Sequence, residues 1–249
     1  EKIYDYQGSI GFGLGGALAE LDCLVGEKSN QNWLKTDRSA FLLPTDECPL
    51  NTIQQLLKKH KDINQVLSLK WKVANSIRSN EQEKVLLKNI LDLLPQNSRL
   101  RIDANEGWNR SQAKEWANIL KNESRLEWLE QPLPANDING LLKLSNHVPI
   151  ALDESLAKYP YLRKDWKSWQ IRRPSQDGDP RVLLKELNQG VSHRVISTAF
   201  ETGIGYKWIN HLATLQKEGP TPSAPGLAPG WSPNGNLFSE NPILVWESV

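Results

Sequence analysis

From residue 65 onward the chain alternates six times between two kinds of segment, and this regularity constrains its fold more than any other feature. The runs "VLSLKWKV", "RLRIDA", "LEWLEQ", "IALDE", "WQIRR" and "HRVIST" read as strands. The stretches near 80–94, 110–121, 137–147, 155–164, 180–189 and 203–216 carry helical spacing of apolar residues. Strands separated by helices pair in parallel, because each helix returns the chain to the start of the next strand. The expected class is α/β, a (β/α) barrel with its helices outside. "SAPGL", within the Pro- and Gly-rich tail from Glu218, is expected to supply a last short strand, and "NPILVWES" a strand returning to another part of the molecule.

Residues 15–26, "GGALAELDCLVG", are expected to be helical, with Leu18, Leu21 and Leu24 spaced for one face and a glycine stop. The preceding "GFGLGG" matches a dinucleotide-binding glycine pattern by letter. No strand precedes it and no ribose-binding acid follows in a repeated unit, so it reads as a closely packed, small-residue helix start.

A net charge of +1, with Lys-rich stretches such as "LKKHKD" interleaved with acids, offers no field for nucleic acid or an anionic membrane. Cys23 and Cys48 are too few for a disulfide framework or a thiolate metal site, which makes a reducing compartment the default. No apolar run reaches membrane length and no leader is visible, so the cytoplasm is expected. The chain has no Met and begins at Glu1, as a piece of a longer product would.

Polar residues recur where the strands end. Lys72, Asp103, Glu130, Asp153 and Arg173 close successive strands at separations of 31, 27, 23 and 20 residues, each about one βα unit. A single carboxylate such as Asp103 in "RIDANEGW" could simply open a turn or cap the next helix. Three on consecutive strands, flanked by cations, form a constellation at the face where barrel enzymes carry their active sites. Asp103, Glu130 and Asp153 offer only oxygen, which favours a hard divalent cation, Mg²⁺ before all others, over zinc. The alternative is a buried carboxylate cluster balanced by Lys70, Lys72 and Arg173. Lys70 and Lys72, two apart, point to one side of their strand, and mutual repulsion is expected to lower the pKa of one of them until it can act as a base. Solvated edge-strand lysines are the competing reading. A lysine base beside Mg²⁺ suits proton removal next to a carboxylate.

The ordered set "KWK", "DANEGW", "LEQP", "LDES", "RRP" and "APGL" resembles the enolase superfamily, in its muconate-lactonising-like branch, over residues 10–249. The resemblance implies a modified (β/α)7β barrel over residues 41–230, the remnant of an α+β capping domain over 1–40, and a C-terminal segment, 231–249, returning to the cap. It implies Lys72 as general base, Asp103, Glu130 and Asp153 as Mg²⁺ ligands, Asn105 and Glu154 as supporting groups, and Ser197, Thr198 and Gly226 against a substrate carboxylate. The implied reaction dehydrates a small cyclohexadiene carboxylate through an enolate, on the route to menaquinone or phylloquinone. The partner is thus a small molecule, and monomer and homo-oligomer both stay open. Arg173 stands where the family pattern has a lysine, and a guanidinium does not exchange protons near neutrality. That substitution speaks against a racemase of dipeptides or N-acyl amino acids and leaves a catalytically silent barrel as the other alternative.

Overall fold

The computed structural model describes residues 6–29, 32–36, 38–45, 48–59, 66–228 and 234–248. The chain divides into two compact units, Ala40–Trp169 and the paired segments Glu1–Ser39 and Gln170–Val249. Helix α1 (Gly8–Leu21) opens the paired-segment unit. The central unit runs β1 (Phe41–Leu42), α2 (Pro49–Lys59), β2 (Ser68–Lys72), α3 (Asn80–Leu93), β3 (Arg99–Asp103), α4 (Arg110–Leu120), β4 (Leu126–Glu130), α5 (Ile138–Ser145), β5 (Ile150–Leu152), α6 (Glu154–Lys158) and α7 (Leu162–Asp165). Trp169, the last residue of the central unit, begins β6 (Trp169–Arg172), and from Gln170 the paired-segment unit continues with α8 (Pro174–Asp177), α9 (Pro180–Asn188), β7 (Arg194–Ile196), α10 (Gly203–Glu218), a 3₁₀ turn at Asn236–Phe238 and α11 (Pro242–Trp246).

In the central unit the strands lie in sequence order and pair in parallel. Local chemistry starts the helices where the sequence suggests. Ser79 with Gln82, and Asn109 with Gln112, form reciprocal capping boxes at α3 and α4, and the Asp137 side chain accepts from Gly140 N at α5. Each such cap contributes about 1 kcal/mol. One strand face, carrying Leu69, Trp71, Leu100, Ile102, Leu129, Ile150 and Leu152, is buried in one core cluster with Leu87 and Ile90 of α3 and Trp116 of α4. Trp116 stacks on Trp108 at 4.8 Å between ring centroids. Alternation then commits Lys70, Lys72, Arg101, Asp103, Trp128, Glu130, Ala151 and Asp153 to the other face.

In the paired-segment unit β6 and β7 are parallel, and Ser197 bridges Gly226 in the same sense, which is the short strand contact expected of "SAPGL". The glycines of "GFGLGG" lie inside α1 rather than before it. A Cβ at Gly16 would come 3.1 Å from Trp208 Nε1, so the small residues serve close packing. The helix expected at 15–26 accordingly starts at Gly8 and ends at Leu21.

Three other expectations change. "NPILVWES" is not a strand: Asn241 accepts from Ile243 N, Pro242 occupies the first turn, and a short helix follows. The stretch 155–164 splits into α6 and α7, with Pro160 between them. The two-residue β1 is too short for any periodicity to show. The end of "LKKHKD" and residues 229–233 of the tail lie outside the described residues. Among the described residues, no helix is long and apolar enough to cross a membrane.

His211 of α10 is fully buried between aromatic neighbours, with Trp33 and Trp208 both edge-on to it. Its Nδ1 accepts from Leu34 N at 3.2 Å, and burial pushes its pKa down to about 4. A neutral folded imidazole and an unfolded one titrating near 6.5 mean that the unfolded chain binds more protons between those values. The histidine's contribution is therefore intact above about pH 6.5 and is lost as the pH falls toward 4. Urea unfolding of the parent and of His211→Gln should show their stability difference moving against the parent by about 2 kcal/mol between pH 7.5 and 5. A difference that stays constant over that range would show that His211 takes up its proton as readily in the fold as in the unfolded chain.

Candidate active site

Register sets the site. Lys72 lies level with Asp103, and Asp103 with Glu130, at the C-terminal ends of β2, β3 and β4. The ladder continues one residue past each strand, through Val73 N to Asp103 O at 2.9 Å, Ala104 N to Glu130 O at 3.1 Å and Gln131 N to Ala151 O at 2.9 Å. The side chains at these ends thus stand on hydrogen-bonded backbone rather than on loose turns. Neighbouring parallel strands are about 4.8 Å apart, which brings the carboxylates of Asp103 and Glu130 within mutual reach.

Lys70 stands between them. Its Nζ lies 2.7 Å from Asp103 Oδ2 and 2.6 Å from Glu130 Oε1, and both carboxylates are 1% exposed. Burial works against the Lys70 ammonium, but Glu130 and Asp103 outweigh it and hold the pKa above its usual range. The repulsion expected between Lys70 and Lys72 is therefore not what governs Lys70. Burial first, and the charge of Glu130 second, push Asp103 up to about 7 against the pull of Lys70. One ammonium does not fully satisfy two buried carboxylates. Lys72, half-buried one alternation further along β2, takes no part in either ion pair.

The loops after the strands are held in unusual backbone. Asn105 and Glu106 both have positive φ, 42° and 66°. Asn105 N donates to Asp103 Oδ1 at 3.0 Å and Asn105 Nδ2 to Glu154 Oε1 at 3.0 Å, so Asn105 joins the ends of β3 and β5. Burial, then the charge of Asp153, raises the Glu154 pKa, and Glu154 Oε2 is buried with no hydrogen-bond partner. Gln131, at φ 35° and fully buried, accepts from Asp153 N at 3.2 Å and Ser155 N at 3.1 Å and donates to Leu133 O and Ser155 Oγ. Glu83 of α3, 2% exposed, accepts from Ala74 N, two residues after Lys72 and at φ 58°. Sequence reasoning missed Gln131 and Glu83. A glutamine and a glutamate give no periodic signal, and only burial shows what they hold.

Asp103 and Glu130 are two buried carboxylates that share the Lys70 ammonium, an oxygen-only donor chemistry that fits a hard divalent cation. Among the described residues, however, no three acidic, imidazole or thiol groups lie close enough to enclose an ion. Asp103, Glu130 and Asp153 stand at the ends of consecutive strands without closing on one another in the metal-free protein. Like charges in a buried space separate, and here the Lys70 ammonium occupies the position between the first two.

The paired-segment unit carries a second cluster. Arg173, following β6, donates to Thr198 O at 2.8 Å. Ser197 Oγ donates to Gly226 O at 3.3 Å and Thr198 N to the same carbonyl at 2.9 Å, so Ser197, Thr198 and Gly226 do meet. The Thr198 hydroxyl is already engaged, donating to Glu201 and accepting from Phe200 N. Glu201 also accepts from Ser175 Oγ and Ala199 N, and sequence reasoning missed it too.

Residues 55–166 match the family described as enolase C-terminal domain-like. An o-succinylbenzoate synthase of Thermosynechococcus vestitus is 34% identical over 155 residues, covering 58% of this chain and 48% of that protein. A second, from Edwardsiella ictaluri, is 26% identical over 221 residues, covering 86% of this chain and 64% of that one. The chain therefore spans between about half and two thirds of the length of these relatives. Among solved structures, o-succinylbenzoate synthase from Thermosynechococcus elongatus, complexed with Mg in its active site, superposes with a TM-score of 0.71 at 28% identity, covering 89% of this chain and 68% of that one. The expected (β/α)-barrel class is borne out by this likeness.

Proposed function

We propose that this chain, whose residues 55–166 match the enolase C-terminal domain-like family, is the barrel of a Mg²⁺-dependent o-succinylbenzoate synthase, a carbon–oxygen lyase. The observation that carries the reading is the row Lys72, Asp103, Glu130 at one register level, with Lys70 bridging the two carboxylates. The similarity to synthases along most of the chain supports the substrate class, a succinyl-bearing hydroxycyclohexadiene carboxylate.

In this reading Asp103 and Glu130, with Asp153, would hold the cation, which when bound would supply positive charge against the carboxylate whose α-proton is removed. Lys72 takes that proton at Nζ and returns it to the departing hydroxyl. Its freedom from the ion pairs of Lys70 leaves the amine available for both transfers. Lys70 keeps the buried carboxylates compensated, and Asn105 and Glu154 brace the end of β3 against that of β5. Arg173 contributes permanent charge and no proton, which disfavours a two-base racemase. The reading also takes residues 1–40 as the remnant of a cap and 231–249 as the segment that returns to it.

Purified protein given the hydroxycyclohexadiene acid should release o-succinylbenzoate, lose at least about a hundredfold in rate with a chelator, and recover with Mg²⁺ but not with Ca²⁺ alone. Product formation that is indifferent to the chelator would remove the metal from the mechanism. No product with Mg²⁺ present would remove the synthase reading.

A further inference from the structure

A polar chain runs behind Glu130 that none of the roles above uses. The pairing of β3 with β4 slips at Leu100/Arg101, so that Leu100 faces Leu126 but Arg101 faces Trp128, and Glu127 becomes the extra residue. A bulge of this kind redirects a side chain that alternation would send to the opposite face. Glu127 uses it to reach Arg101: Arg101 Nε donates to Glu127 Oε2 at 2.7 Å, and the Arg101 side chain is only 3% exposed. The guanidinium carbon of Arg101 lies 4.2 Å from the centroid of the Trp128 ring, and Trp169 packs on Trp128 at 4.8 Å. The fully buried Trp128 then donates from Nε1 to Glu130 Oε2 at 3.3 Å, while Lys70 holds Oε1.

We propose that Trp128 is a positioning residue: its indole N–H, braced by Arg101 through the bulged Glu127, sets the orientation in which Glu130 presents its carboxylate to a divalent cation. The inference rests on the metal reading above for its consequence, but the brace itself is a property of the metal-free protein. Several features make the arrangement suited to the task. A Trp side chain has two rotatable bonds, and packing against Trp169 and Arg101 restricts both. The guanidinium over the ring draws electron density from the indole and makes its N–H a better donor. An unbraced buried carboxylate would instead turn to whatever donor it found, and metal affinity depends on groups that orient the ligands as well as on the ligands themselves.

Two measurements test this. In the metal-free protein labelled at indole nitrogen, the Trp128 N–H resonance, identified by its loss in Trp128→Phe, should be protected from solvent exchange. Glu130→Ala should shift it and reduce its protection at least tenfold. Calorimetric titration with MgCl₂, at a temperature where both proteins are folded, should show Trp128→Phe, which keeps an aromatic ring and loses the donor, binding Mg²⁺ roughly tenfold more weakly than the parent. Arg101→Met, which keeps the stem and loses the charge, should weaken binding in the same direction and by less. A Trp128 resonance indifferent to Glu130→Ala, or Trp128→Phe binding Mg²⁺ as the parent does, overturns the proposal. If the parent itself takes up no Mg²⁺, the metal reading falls, and the indole resonance alone decides whether Trp128 braces Glu130.

Discussion

Lys72→Ala should lose turnover by about a thousandfold or more and should lose, in parallel, the wash-in of solvent deuterium at the carbon beside the substrate carboxylate. The two losses belong together because one amine is given both proton transfers. Nothing else on β2 can substitute: Lys70 Nζ is held within 2.7 Å of two carboxylates that keep it protonated. The same geometry predicts that the variant stays folded, because Lys72 leaves no buried partner uncompensated. Lys70→Ala is different in kind, since it strands Asp103 and Glu130 face to face without their shared cation, and it should cost stability as well as activity. A Lys72→Ala protein with normal Tm and normal Mg²⁺ binding, silent in both assays, fits the assignment. Exchange persisting at the parent's rate would move the base to another residue.

Asp103→Asn and Glu130→Gln should each abolish measurable Mg²⁺ binding at millimolar metal and reduce turnover by about a thousandfold or more, because each replaces a charged oxygen ligand with a neutral one. Their effects on stability carry the sharper information. Asp103 is pushed up to about 7 by burial and by Glu130, so its negative charge already opposes folding in the absence of metal. With the folded pKa raised, the metal-free parent binds more protons folded than unfolded between about pH 4 and 7, and it should lose stability as the pH rises through that window. Asp103→Asn removes that titration, and the metal-free variant should match or exceed the parent's Tm near pH 7.5. Added Mg²⁺ should raise the parent's Tm and leave the variant's where it was. A variant that is stabilised by Mg²⁺ as the parent is would place the binding site away from β3.

Much of this architecture is legible in the sequence. Six alternations name the class. The separations of Lys72, Asp103, Glu130, Asp153 and Arg173 name the strand ends, and the two-residue period puts Lys70 and Lys72 on one side. These are local properties, carried by periods of two and 3.6 residues along the chain, and they survive without knowledge of neighbours. Register is not carried in this way. Whether Lys70 is a base depressed by Lys72 or a cation held by Asp103 and Glu130 depends on which atoms lie level across three strands. The slip that turns Glu127 toward Arg101 is a property of the β3–β4 pair and of neither strand alone. "NPILVWES" is apolar enough for a strand, and the Asn241 cap with Pro242 in the first turn makes it a helix. Gln131, Glu83 and Trp128 acquire their parts through burial beside backbone and carboxylate groups, most of them distant in sequence. Periodicity along the chain determined the elements and the faces they present, while the tertiary structure decided the charge partners, because hydrogen bonds and ion pairs act over about 3 Å and only register brings distant residues that close.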